Sequence, residues 1–428
     1  MTTSITTNFI PAQAAVQPGG MSVDQVISPF IGVFIAAFLV SLAATPLMRT
    51  LARKNGIVDK PDLARKLHRE PIPYLGGVAI FLGWIAGMTA CLLAYRYNDA
   101  GQIERLVNIP ISIVFGAGVI TLVGLFDDVY GSSPRVKLGG QLLAAAALAS
   151  EKVGFMLVTQ LLAVCGITNP PFMLCYIAGA ALIAIFVLGG TNAMNLIDGL
   201  DGLAAGSAAI MNVGFLAIAV YAMIGTAMAD PELTGSDPVA DPVRIVLCLA
   251  ALGAVLGFLP YNFNPASIFM GDAGSLLLGF LAVATILSFA HSSSKGPGLV
   301  LAGLIVFALP IIDTTLAIIR RKMRGVSISV ADKNHLHHQL LRFWQRFNFG
   351  PGASVKMTAL SLYAVGLALA IFGVLVAVVR VRYSIALSMV FFGFLFVAAY
   401  KSGRRIVEME KKAELAEQAE LLKSDPAP

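Results

Sequence analysis

Charge is scarce in this chain. Only 13% of its 428 residues are Asp, Glu, Lys or Arg, while 57% are hydrophobic, and the mean hydropathy is +0.81. A soluble domain carries about a quarter charged residues, so a soluble fold is excluded, and so is a soluble core on one anchor. The composition describes an all-α polytopic membrane protein, and nucleic acid is not an expected partner. Cysteine is also scarce. Cys91, Cys165, Cys175 and Cys248 fall in or beside apolar runs and form no CxxC pair. That pattern indicates neither zinc nor a disulfide framework, and each is expected in the core. Met1 to Phe30 contains no Lys or Arg. It therefore lacks the n-region of a signal peptide, and residues 1–28 are expected to form a short extracytoplasmic extension.

What the chain has instead is long apolar runs. Eleven approach the ~20 residues that cross a bilayer: 29–48, 75–95, 108–126, 138–158, 172–190, 203–225, 243–261, 274–291, 298–319, 357–379 and 383–400. The fourth is interrupted by Glu151 and Lys152. Alternate loops divide the basic residues unequally. One set of loops, with the C-terminal tail, holds 23 Lys and Arg, and the other, with the N-terminus, holds 7. Cytoplasmic loops carry the excess of Lys and Arg, so the N-terminus is expected outside and the C-terminus in the cytoplasm. The charged tail 401–428 has Ala and Leu at helical spacing. Its stretch from Arg404 to Lys423 is expected as a solvated surface helix, too short to claim as a coiled coil.

The polar motifs all fall on the expected cytoplasmic side. The central one runs from Asn192 to Gly206 and holds Asn192, Asn195, Asp198 and Asp201 among glycines. Other loops bring Lys66 and His68, then Asp127 and Asp128, then Asp272, and finally His335, His337, His338 and Arg342. Charge at a membrane helix mouth is costly and marks a site by default. Five carboxylates at one face would repel, and a divalent cation relieves that. Hard oxygen donors without cysteine suit Mg²⁺ or Mn²⁺. The cations and imidazoles beside them suit a pyrophosphate, and the ensemble reads as phosphoryl transfer.

Plainer readings stand beside these. Asp127-Asp128 could be a helix end before a turn at Gly131, and Lys66 and Arg69 could be positive-inside anchors. The His-x-His-His run could be a pH sensor or a zinc site, though it lacks the i, i+4 spacing of a helical zinc pair. Asp313 is open between lining the cavity and pairing with Arg320 or Arg321. The competing class is a cation transporter, but the acids sit at loop edges on one side rather than near the midplane.

Five motifs in order closely resemble the polyprenyl-phosphate N-acetylhexosamine-1-phosphate transferases. They are KLHREPIPYLGG (66–77), GLFDDVYG (124–131), TNAMNLIDGLDGLAAG (191–206), NFNPASIFMGDAGSLLLGF (262–280) and DKNHLHHQLLR (332–342). The resemblance makes 29–400 a transmembrane transferase domain. It implies transfer of a sugar-1-phosphate from a UDP-sugar to undecaprenyl phosphate at the cytoplasmic leaflet of a bacterial inner membrane, with release of UMP. The HLHH form resembles the WecA/TagO branch, which uses UDP-GlcNAc. The MraY branch, which uses UDP-MurNAc-pentapeptide, typically has an uninterrupted HHH run where this chain has Leu336. A relative using another UDP-N-acetylhexosamine stays open.

By the same resemblance, Asp272 is the principal metal ligand with Asp127 or Asp128 nearby, and the latter pair handles the lipid phosphate. Asn195 and Asp198 lie near the metal and diphosphate. Gly199, Leu200 and Asp201 form the uridine pocket, Asn192 belongs to the same substrate-binding stretch, and His335, His337, His338 and Arg342 contact the diphosphate or sugar. Lys66 and His68 lie where the lipid phosphate comes in. Family analogy also suggests a homodimer. The implied step is a single in-line displacement, with a route through an aspartyl-phosphate as its rival.

Overall fold

The computed structural model describes residues 22–59, 71–93, 95–97, 103–105, 107–229, 242–291, 295–327 and 334–424. In hydrocarbon every backbone N–H and C=O must find its partner within the protein, and the apolar runs accordingly form helices. After a short first helix, α1 (Val23–Ile27), come α2 (Ile31–Lys54), α3 (Gly76–Leu93), α4 (Ile111–Tyr130), α5 (Pro134–Ala149), α6 (Val153–Val164), α7 (Phe172–Ile197) and α8 (Leu203–Ala229). The second half holds α9 (Val243–Asn262), α10 (Gly271–Ser288), α11 (Gly296–Val306), α12 (Ala308–Met323), α13 (Leu336–Gln345), α14 (Pro351–Val378) and α15 (Val381–Ser424). The fold is an all-α multi-pass membrane bundle.

Nine of the described helical segments are long and apolar enough to cross a membrane, and two bent pairs bring the number of spans to as many as 11. Eleven is the number expected from the apolar runs, and the bends show where two of those runs are broken. The fourth run divides into α5 and α6, which meet at 67°. The break falls at Glu151 and Lys152, where Lys152 adopts a left-handed backbone (φ 57°) that a helix cannot propagate. The ninth run divides at Phe307 into α11 and α12, bent by 69°. The sequence reading also missed a small antiparallel hairpin in one connector, β3 (Tyr95–Tyr97) with β4 (Ile103–Arg105). A second pairing joins β1 (Val58–Asp59) to β2 (Ile72–Pro73).

Helix α10 is the hub, with its whole membrane-length window buried, whereas α7 and α15 turn most of theirs outward. Close approach to α10 depends on residue size. A Cβ on Gly77 would lie 2.0 Å from the Gly274 nitrogen, so α3 and α10 touch backbone to backbone there only because both sides are bare. The Gly76 and Gly77 amides donate to the Phe269 and Met270 carbonyls (3.0 and 2.9 Å). The KLHREPIPYLGG and NFNPASIFMGDAG motifs are thereby stitched into one structure.

The result is a bundle with two distinct ends. The C-termini of α4 and α7 and the N-terminus of α10 meet at one end, through the contacts described below. The opposite end holds the N-termini of α4 and α9 and the C-terminus of α10. The expected tail helix is not separate: α15 runs unbroken for 44 residues, from the last span into the tail. Among the cysteines, Cys91, Cys175 and Cys248 are buried as expected, but Cys165 is exposed. It caps the end of α6, where the bend has brought the helix to its terminus.

Candidate active site

Asp127 and Asp128 are neighbours in sequence with separate partners, because successive residues on a helix point in different directions. Asp128 faces α10. Its Oδ1 accepts from the Asp272 amide (2.8 Å) and its Oδ2 from the Ala273 amide (3.0 Å). One carboxylate thus satisfies two of the orphan donors in the first turn of α10, at the positive end of that helix. Asp127 turns to the other side. Its Oδ1 accepts from the Ser132 amide (2.6 Å) and from the Ser132 hydroxyl, and its Oδ2 is 3.8 Å from Lys137 Nζ.

Asp272 is the meeting point. Its Oδ2 pairs with Lys137 Nζ, and its Oδ1 accepts from Asn195 Nδ2 at 2.7 Å. Asn195 Nδ2 also donates to Ser275 Oγ (2.9 Å). A lysine ammonium therefore sits between two carboxylates from different helices. Lys137 was not singled out in the sequence, where it counted only as a basic residue before an apolar run. The signal for it was its place at the head of a membrane helix, nine residues after Asp128.

Asp198 caps the end of α7. Its removal from water, with Asp272, Asp128 and Asp201 nearby, pushes its carboxyl up to about 8. Asp201 ties its turn to the loop after α9, where its Oδ2 accepts from Asn264 Nδ2 (2.9 Å) and the Ala266 amide (3.0 Å). Leu200 between them is buried. Gly199 lies under the His337 ring, and a Cβ there would fall 2.3 Å from His337 Nε2. The central motif and the histidine motif, more than a hundred residues apart, are therefore in direct contact.

Helix α13 carries that ring. His335 caps its N-terminus, with Nδ1 3.0 Å from Asp313 Oδ2. The Leu336 amide donates to Asp313 Oδ1 (2.6 Å). Asp313, open between two roles in the sequence, is thus the buried anchor of α13. His337 is 2% exposed, and its Nδ1 is 3.9 Å from Asp313 Oδ2. Burial, assisted by His338, holds His337 down at about 3, so at neutral pH it is an uncharged donor and acceptor. Its ring centroid is 4.2 Å from that of His338 and 5.7 Å from that of His335. Arg342 is exposed and donates to Asn334 Oδ1 (2.8 Å).

Not every sequence candidate converges. Asn192 points to α5, and its Nδ2 donates to Gln141 Oε1 (3.3 Å) and the Leu188 carbonyl (2.8 Å). That places it in a helix–helix contact. Lys66 and His68 lie outside the described residues.

The donor set can be tested against a hard cation. Among the described residues no three His, Cys, Asp or Glu side chains form a ready cage. Mg²⁺, however, is usually held by one or two carboxylates and completes its shell with water and substrate phosphates. The ammonium between Asp272 and Asp127 shows that this position attracts positive charge, and the atoms facing it are oxygens of Asp272, Asp127 and Asn195. The residues fit Mg²⁺ or Mn²⁺ and do not suit a thiophilic metal.

Fold and site together define a multi-pass membrane protein with an acidic cluster and a histidine-bearing helix at one end of its bundle. Residues 110–290 match the model of glycosyl transferase family 4. The chain is 33% identical over 383 residues to a Bacillus subtilis protein named probable undecaprenyl-phosphate N-acetylglucosaminyl 1-phosphate transferase, covering 89% of this chain and 94% of that protein. It is 34% identical over 324 residues to the decaprenyl-phosphate N-acetylglucosaminephosphotransferase of Mycolicibacterium smegmatis, covering 72% and 74%. A Bacillus thuringiensis phospho-N-acetylmuramoyl-pentapeptide-transferase is 31% identical over 356 residues, covering 80% and 96%. The chain belongs to glycosyl transferase family 4.

Proposed function

We propose that this protein transfers GlcNAc-1-phosphate from UDP-GlcNAc to undecaprenyl phosphate, releasing UMP, as the first membrane step of a cell-envelope polysaccharide. The observation that carries the reading is the cation-seeking position between Asp272 and Asp127, bordered by Asn195 and at the same end of the bundle as the histidine helix. A diphosphate brings four or so anionic oxygens to such a position and needs neutralisation more than covalent help. The acidic cluster lies at a bundle end, where an isoprenoid tail stays in hydrocarbon while its phosphate meets a soluble nucleotide.

In the step itself a phosphate oxygen of the lipid attacks the sugar-bearing β-phosphorus in line. The bond from that phosphorus to the bridging oxygen breaks, and its electrons leave on UMP. Bound Mg²⁺ would supply neutralisation of charge on the diphosphate, with Asp272 and Asp127 as its holders. Asn195 fixes the Asp272 carboxylate in place. Asp128 locks the first turn of α10 and so sets the position from which Asp272 projects. Lys137 balances the acidic pair and provides an ammonium for a phosphate oxygen. His337, neutral and pressed on Gly199, offers a hydrogen bond without adding charge. One pyrophosphate replaces another, so the reaction is near thermoneutral and reversible.

The muramoyl-pentapeptide substrate is the second reading, favoured by the pentapeptide-transferase relatives. Leu336 within the histidine run, and the Bacillus subtilis relative's higher identity and larger share of this chain, support UDP-GlcNAc instead. We place the site at the cytoplasmic face of a bacterial inner membrane, from the basic-residue asymmetry, and include a homodimer in the proposal by family analogy. The test is UMP release by purified protein with undecaprenyl phosphate, offering each UDP-sugar separately. Release with UDP-GlcNAc alone is expected, abolished by EDTA and restored by Mg²⁺ or Mn²⁺. Release only with the pentapeptide substrate would overturn the sugar assignment, and release insensitive to EDTA would overturn the metal.

A further inference from the structure

The end of the bundle opposite the acidic cluster holds a cavity of about 350 Å³, within the range of small-ligand sites. Asp272 and the cavity residue Ser288 lie at opposite ends of α10, roughly 24 Å apart at about 1.5 Å per residue. The cavity is therefore separate from the site described above. Its walls are apolar, with Ile113 from α4, Leu148 from α5, Val153 from α6 and Leu287 from α10. Three ionisable side chains distant in sequence nonetheless converge on it: Glu151, Arg244 and His291.

Two of these are held in fixed positions. Arg244, in the first turn of α9, is only 3% exposed. Its Nε donates to the Ser288 carbonyl (3.2 Å) and its guanidinium carbon is 6.0 Å from the Phe289 ring centroid. A guanidinium fixed in this way brings a held positive charge to the cavity wall, of the kind that attracts a phosphate or carboxylate. Glu151 sits at the break between α5 and α6 and accepts from Ser112 Oγ at 2.7 Å. Ionisable groups at membrane depth are expensive and face protein interiors or cavities that use them. Glu151 also lies where the fourth span is broken. The bend that interrupts the helix is the feature that turns this carboxylate into the cavity.

A cavity that presents an arginine and a carboxylate on apolar walls suits a molecule with both charges and an apolar part. We propose that it is a headgroup site for an aminophospholipid, with the phosphate toward Arg244 and the primary ammonium toward Glu151. The volume suits a headgroup rather than a whole two-chain lipid, so the chains leave along the rim. There Ile111, next to the lining residue Pro110, is 77% exposed and gives the rim an apolar surface. A primary ammonium donates hydrogen bonds to Glu151, which a quaternary one cannot do. This discriminates phosphatidylethanolamine from phosphatidylcholine, while the carboxylate discriminates against phosphatidylglycerol.

The test is native mass spectrometry of the full chain from detergent, with the three lipids offered singly and in competition. The expected result is retention of one phosphatidylethanolamine per chain, preferred about tenfold or more over the other two, equivalent to about 1.4 kcal/mol. Glu151→Gln should reduce that preference to near parity, and Arg244→Gln should weaken retention of all three. Equal retention of all three lipids by the wild-type chain would overturn the proposal, as would an unchanged preference in Glu151→Gln. Arg244 is buried, and its variant is read only if it is monodisperse with an unchanged melting temperature. Otherwise the wild-type competition and Glu151→Gln decide the matter alone.

Discussion

At the scale of the residue, the structure separates groups that look equivalent in the sequence. Asp127 and Asp128 form one motif, yet one faces a lysine and the other two backbone amides. Asp128→Asn replaces an anionic acceptor pair with a single amide oxygen, leaving one α10 amide without its partner. It is expected to destabilise the protein by about 1–2 kcal/mol, in the range of lost helix caps, read as a lowered melting temperature. Asp272→Asn is expected to leave the melting temperature near that of the wild type and reduce UMP release by a factor of roughly 10³ or more, on the scale of losing a principal electrostatic group. Wild-type-like turnover of Asp272→Asn would sink its assignment. Gly199→Ala places a methyl group against the His337 ring and is expected to impair turnover through that contact. A kinetically silent Gly199→Ala would show that the ring moves freely.

At the scale of the element, α13 depends on an anchor from another helix. Asp313 on α12 holds both the His335 ring and the first amide of α13. Asp313→Ala is expected to loosen α13 and lower turnover by roughly 10–100-fold, since misplacing a positioned group costs that much. Hydrogen exchange over residues 336–345 should rise in this variant and not over α10. The same helix should sense pH. His337 is held down at about 3 in the fold but has its ordinary value near 6.5 when released. Below that value the released state binds a proton that the packed state refuses, so packing weakens as pH falls from about 6.5 toward 3. Exchange of the α13 amides, corrected for intrinsic chemistry, should increase from pH 7 to pH 5. His337→Gln should remove that increase, and a pH-independent wild type would contradict the buried neutral ring.

At the scale of the molecule, the orientation inferred from basic residues has a convenient probe. Cys165 is exposed while the other three cysteines are buried, and it follows α6, whose Gln160 donates to the Ala290 carbonyl at the end away from the acidic cluster. A membrane-impermeant thiol reagent applied to intact cells should label Cys165 and lose its target in Cys165→Ser. Labelling only after the membrane is opened would invert the proposed topology.

Periodicity, composition and charge bias were legible from the chain alone. They determined a helical multi-pass bundle, the approximate position of its spans and the grouping of the acidic and histidine motifs. That was possible because hydrocarbon imposes one rule on every span and because polar residues are too costly to scatter there. Tertiary structure decided what depends on direction rather than position. It turned Asn192 toward α5 and Asp128 toward the amides of α10, and it put Lys137 between Asp127 and Asp272. It gave Asp313 to His335 and bent two spans at Lys152 and Phe307. The physical reason is that sequence spacing says which residues are near a helix end, whereas partners come from distant helices, as when Asp128 meets an amide 145 residues away. Which donor meets which acceptor is chosen only when those helices pack, and between α3 and α10 they pack through backbone contact at Gly77 and Gly274.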